Sequence, residues 1–170
     1  TLVPSIPFGN YLIEPLPRGT AAVVALGAAA IHKRDPQGVM VVLTADHFIE
    51  NIKAFHEAIR VASQCAQQGQ LVTLGIRPTF PSTGYGYIEI GDPLGEVNTI
   101  PTFKVARFEE KPDENRAVDF IKSGRYLWNS GMFIWNSQVI LDEINLHMPD
   151  LAQAITGIDA FIDKDHAHPK

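Results

Sequence analysis

Val39-Met40-Val41-Val42-Leu43-Thr44-Ala45-Asp46-His47 leads into a run in which Phe48, Ile52, Phe55, Ile59, Ala62 and Ala66 recur at spacings of 4, 3, 4, 3 and 4. A continuous apolar run of strand length is the pattern of a strand covered on both faces of a parallel sheet. Apolar residues three and four apart predict an amphipathic helix, and Gly69 stops it. Strand, short polar connection and helix in that order make an α/β unit. In open α/β sheets ligands collect beyond the carboxyl ends of strands, so Asp46 lies where such a crevice opens. The plainer role for Asp46 is to N-cap the helix. His47 beside it is more often a packing residue than a ligand.

Working outward, Asn10 to Ile13 read as a strand end, and Glu14-Pro15-Leu16-Pro17-Arg18-Gly19 as a loop. Thr20 is a suitable N-cap for a helix over Ala21 to Ile31. Leu71 to Gly75 predicts another strand, and Arg77 to Ser82 an extended loop stiffened by Pro78 and Pro81. Tyr85 to Ile90 and Thr102 to Glu109 are expected as strands around a turn-rich insertion, Gly91 to Pro101. Asp113 caps a helix that Gly124 ends. A strand over Gly131 to Trp135 and helices over Val139 to Met148 and from Leu151 complete the pattern, with a polar tail from Asp163. Alternating strands and helices argue for an α/β sandwich with a mostly parallel sheet, forming a single domain over 1–170.

Hydrophobic residues make up 45% of the 170 residues and charged residues 19%, as in ordinary globular proteins. The formal charge of −5 argues against nucleic acid or an anionic membrane surface as the main partner. Small anions stay open as ligands, because a few placed Lys and Arg bind phosphate even in an acidic protein. One cysteine, Cys65, allows no internal disulfide and falls in a helical pattern, the setting of a half-buried structural thiol in a reducing compartment. No apolar run reaches membrane-span length and no signal-peptide pattern opens the chain, so the expected location is cytoplasmic. Six histidines without paired metal spacing argue against a zinc site.

Three further motifs carry chemistry. Gly84 and Gly86 bracket Tyr85 where a loop enters a strand, which marks either a bulge or a close approach of ligand to backbone. Glu110-Lys111 precedes Pro112, which biases Lys111 toward extended backbone. Their side chains should then point to opposite sides, one accepting from hydroxyls and the other reaching a phosphate. A solvated charge pair is the bland alternative. The Asn129 amide, between Trp128 and Gly131, can both donate to and accept from a hydroxyl, or serve only as a turn residue.

Gly75-Ile76-Arg77-Pro78-Thr79, Thr83-Gly84-Tyr85-Gly86-Tyr87-Ile88, Glu110-Lys111-Pro112 and Trp128-Asn129-Ser130-Gly131-Met132-Phe133, in this order, resemble the nucleotide-diphospho-sugar transferases, most closely the mannose-1-phosphate guanylyltransferases. The similarity runs from about Leu12 to Met148. It implies a Rossmann-like three-layer sandwich that joins mannose 1-phosphate and GTP into GDP-mannose with release of pyrophosphate. Carried over, Asp46 would hold Mg²⁺ and Lys111 would bind the sugar phosphate. Gly86, Glu110 and Asn129 would contact the mannose, and Glu14, Arg18 and Thr20 would lie near the nucleotide. A related sugar 1-phosphate nucleotidyltransferase (glucose 1-phosphate with UTP or dTTP) and a non-catalytic sugar-nucleotide-binding module remain open, as does a homo-oligomer.

Gly19 stands where this family usually has Asn, Thr44 where it has Pro, and Glu109 where an apolar residue is common. The family's opening glycine-rich phosphate segment has no counterpart in Thr1 to Asn10, and its second metal-binding aspartate lies beyond the matched region. The chain is thus expected to hold mainly the sugar-phosphate half of the site, with little turnover by itself.

Overall fold

A computed structural model describes residues 6–14, 16 and 18–162. It divides into two compact units, one formed by residues up to Met40 and from Asn136 onward, the other by Val41–Trp135.

In the first unit a 3-10 turn, Phe8–Asn10, stands where a strand end was expected, followed by irregular chain to Glu14. Helix α1 spans Thr20–Arg34, with Gly19 rather than Thr20 at the N-cap. Gly19 has φ +89° and no side chain with which to cap, so Thr20 becomes the first helical residue. Helix α4, Ser137–His147, is capped by Asn136, whose side chain accepts from the Gln138 N–H at 2.8 Å. Helix α5 covers Pro149–Ile162. Ala25 and Ala29 of α1, Ile144 of α4 and Ile155 of α5 form the core between these helices. The expected polar tail from Asp163 lies outside the described residues.

The sheet and its flanking helices complete the chain. Strand β1 is Val39–Val42, helix α2 Ile52–Gln67, β2 Val72–Ile76, β3 Tyr87–Val97, β4 Ile100–Glu109, α3 Glu114–Ser123 and β5 Tyr126–Asn136. The sheet runs β1-β5-β3-β4, with β2 also paired to β5. The registered pairs β2/β5, β3/β4 and β3/β5 are all antiparallel, so these strands do not show the mostly parallel sheet expected. Strands β4 and β5 are both antiparallel to β3 and therefore run parallel to each other with β3 between them. The alternation of strand and helix is real, but the chain returns through α3 to the far side of β3 instead of pairing with β4.

Three segments differ from expectation. Gly91 to Pro101 is no insertion. It belongs to a long hairpin whose turn falls at Asn98 and Thr99, both at positive φ (50° and 69°). Such a turn usually announces itself as Asn-Gly, and Thr99 conceals it. Helix α2 begins four residues later than its periodicity suggests, leaving Phe48 outside the helix and 93% exposed. Strand β1 is likewise less covered than its apolar run implied, with Val41 and Leu43 exposed. Among the described residues no helix is long and apolar enough to cross a membrane.

Candidate functional site

One face of β5 carries an aromatic core and the other the polar side chain of Asn129. Tyr126 stacks on Phe120 of α3 at 3.9 Å between ring centroids, and Trp128 packs against the same core of Tyr87, Ala117 and Phe120. Phe80 and Tyr85 meet Trp128 edge-on, at 4.9 and 5.1 Å, which fixes the loop before β3 on that side. Because successive strand residues face opposite ways, Asn129 turns to the other face. Its Oδ1 accepts from the Gly131 N–H at 3.2 Å and from Thr73 Oγ1 at 3.3 Å, a hydroxyl whose single proton is shared with the Met132 carbonyl at 3.1 Å. Both bonds use the oxygen, so the Nδ2 group keeps its two donors uncommitted among the described residues.

Gly86 is a close-approach position and Gly84 is not. A Cβ built on Gly86 would lie 2.7 Å from Glu110 Oε2 and 3.6 Å from Asn129 Cβ, whereas one on Gly84 would meet only Ser82 Oγ at 3.8 Å. The Asn129 N–H donates to the Gly86 carbonyl at 2.8 Å, holding the two backbones together. The Glu110 carboxylate and the Asn129 side chain are therefore both neighbours of Gly86. Lys111 Nζ lies 3.8 Å from Glu110 Oε1, and both side chains are mostly exposed.

Two expectations for this segment fail. Lys111 is not extended but at φ +43°, and the two side chains lie together instead of diverging. Strand geometry ends at Glu109, so period-two alternation no longer governs Lys111, and Pro112 is buried just beyond.

Asp46 lies exposed in the turn after β1. It does not cap α2: Asn51 does, accepting from the Ala54 N–H at 3.0 Å. Among the described residues nothing else engages the Asp46 carboxylate. The segment leading to it is tied to the Asn129 strand, since a Cβ on Gly131 (φ +69°) would lie 3.4 Å from Thr44 Cγ2. The structure thus joins Thr44, Gly131, Asn129, Gly86, Glu110 and Lys111 in one chain of neighbours within Val41–Trp135. Glu14, Arg18 and Thr20 belong to the other unit, Glu14 half-buried and the other two exposed.

Thr73, which holds Asn129, carries no sequence signal, because a strand threonine is ordinary. Nor was the charge lattice on the α3-facing side foreseen. Arg107 Nε pairs with Glu89 at 2.7 Å and Glu109 at 3.3 Å, and Arg116 and Arg125 pair with Glu109 and Glu89 at 2.9 and 3.2 Å. The Tyr126 hydroxyl, bonded to Arg107 at 2.9 Å, is the first cause that holds this guanidinium above its ordinary pKa, with both glutamates adding to it.

Among the described residues no cluster of three or more His, Cys, Asp or Glu could hold a metal alone. A Mg²⁺ ion needs less from a protein, since it keeps waters and substrate phosphates as ligands beside one or two carboxylates. Exposed and uncommitted, Asp46 suits that share.

Residues 7–166 match the nucleotidyl transferase family. Mannose-1-phosphate guanylyltransferases of Klebsiella pneumoniae and Escherichia coli are each 46% identical over 145 residues, covering 85% of this chain and 31% of the relative. The chain thus spans about a third of the length of these curated relatives. A crystal structure described as a mannose-1-phosphate geranyltransferase from Thermus thermophilus superposes with a TM-score of 0.78 at 34% identity, covering 88% of this chain and 42% of that one. One described as a mannose-6-phosphate isomerase from Helicobacter pylori gives 0.72 at 36%, covering 87% and 53%. On this match the chain belongs to the nucleotidyl transferase family, with a domain like that of the mannose-1-phosphate guanylyltransferases.

Proposed function

We propose that the Val41–Trp135 unit holds the sugar phosphate in the transfer of a guanylyl group from GTP to mannose 1-phosphate, giving GDP-mannose and pyrophosphate. The observation that carries this is the Gly86 gap. A methyl filling the space there would push away the Glu110 carboxylate that lies against Gly86. A carboxylate that only accepts, beside an amide with two donors to spare, matches the alternating donors and acceptors of vicinal sugar hydroxyls. Lys111 adds a cation within reach of the same carboxylate, suited to the phosphate of that sugar.

A phosphate oxygen of the sugar forms a new bond to the α-phosphorus of GTP. The bond from that phosphorus to the bridging oxygen breaks, and pyrophosphate leaves with the electron pair. No protein nucleophile is required, so Glu110, Asn129 and Lys111 act by orientation and by charge. Asp46 would hold Mg²⁺, which when bound supplies neutralisation of phosphate charge. Glu14, Arg18 and Thr20 are the proposed nucleotide-side residues.

Calorimetry with mannose 1-phosphate, glucose 1-phosphate and GDP-mannose, with and without Mg²⁺, tests this. Binding of the mannose compounds that weakens in Lys111→Ala supports it. No heat with any of the three ligands, from a chain shown to be folded, overturns it.

A further inference from the structure

Glu109 sits at the last position of β4, opposite Tyr87 of β3. Its carboxylate is 19% exposed and is gripped from two sides: Oε1 lies 3.3 Å from Arg107 Nε, and Oε2 2.9 Å from Arg116 Nη2. Arg107 belongs to the same strand, whereas Arg116 stands in the first turn of α3. The pair therefore bridges the connection between β4 and α3. That connection is only Glu110-Lys111-Pro112-Asp113. Its far end is also fixed, because Asp113 caps α3 by accepting from the Arg116 N–H at 3.0 Å and Pro112 is buried.

Between these anchors Lys111 adopts φ +43°, a conformation that residues with a Cβ avoid unless their surroundings impose it. The Glu110–Lys111 pair is too exposed and, at 3.8 Å, too long to impose it. Glu109 faces α3 while Glu110, the first residue beyond β4, lies against Gly86. A slip of one residue would exchange the two.

We infer that Glu109 is a positioning residue: by binding Arg107 and Arg116 on the helix-facing side it fixes the backbone that aims Glu110 and Lys111 at the opposite face. An apolar side chain at 109 could bury against α3 but has no directional hold on Arg116. The inference concerns substrate only through the sugar-phosphate reading of Glu110 and Lys111; its geometric part is independent of that reading.

Two readouts on the intact chain keep the two apart: the heteronuclear ¹⁵N NOE and Cα shift of Lys111 without ligand, and the affinity for mannose 1-phosphate. Glu109→Ala is expected to bring the Lys111 NOE down to loose-loop values and to weaken binding about tenfold or more, the loss of one charge-assisted contact. Glu109→Gln, which keeps the shape, retains part of both and serves should the alanine variant fold poorly. Arg125→Ala breaks the same lattice at Glu89 and is expected to lower the melting temperature without changing either readout. A rigid, unshifted Lys111 in Glu109→Ala overturns the inference, as does an equal loss of order in Arg125→Ala. Absence of wild-type binding overturns the sugar-phosphate reading, while the NOE still decides the role of Glu109.

Discussion

Gly86→Ala separates stability from binding more cleanly than any other single change. The new methyl would lie 2.7 Å from Glu110 Oε2, well inside ordinary carbon–oxygen contact, and 3.6 Å from Asn129 Cβ, which is tolerable. The carboxylate is the far end of a flexible side chain that is 72% exposed, so it moves aside at little cost to folding. Gly86 does not sit at positive φ, so alanine fits the backbone. Less freedom in the unfolded chain should then stabilise the fold by about 0.4–1 kcal/mol. Binding should move the other way. Losing one charge-assisted hydrogen bond from Glu110 costs about 1.5–3 kcal/mol, or roughly 10- to 150-fold in affinity for mannose 1-phosphate. Thermal melting and calorimetry on the same sample give both numbers. A variant that melts no lower than wild type and binds as tightly would refute the idea that Gly86 exists to admit Glu110.

Asn129→Asp keeps the oxygen that accepts from Thr73 and Gly131 but removes the Nδ2 donors; the fold should survive and sugar-phosphate affinity fall at least about tenfold, read by calorimetry. Asp46→Ala should leave unfolding free energy within about 0.5 kcal/mol while abolishing any Mg²⁺ dependence of GDP-mannose binding. Asn51→Ala should destabilise by about 1 kcal/mol in denaturant titration without touching that dependence, because it, not Asp46, caps α2. Phe120→Ala removes a ring stacked on Tyr126 in the core under β3 and β5, and should cost about 3–5 kcal/mol by chemical denaturation.

What was legible in the sequence follows the strength of local signals. Helix α3 came through at both ends, because Asp113 and Gly124 each do one unambiguous job, a side-chain cap and a left-handed terminus. The half-buried setting of Cys65 followed from its place in α2. Periodicity misled at Phe48, since an apolar residue in phase with a stripe need not be in the helix, and Asn51 set the true start. The strand pairing was illegible because alternation of elements says nothing about which strands become neighbours. Of the site, the family resemblance picked out Gly86, but the residues alone did not separate it from Gly84, as only the fold brings Glu110 against one of them. The conformation of Lys111 went against its proline neighbour, and the groups that impose it, Glu109 and Arg116, are seven residues apart and join only through the β4–α3 connection.

The central claim is that stretches far apart in the chain form one sugar-phosphate site, and an amide chemical-shift titration with mannose 1-phosphate tests it most directly. Asp46, Gly86, Lys111 and the Asn129–Gly131 segment should shift together along one saturating curve, with α1, α4 and α5 unmoved. Shifts confined to one of these segments, or centred on the helices of the other unit, would contradict it.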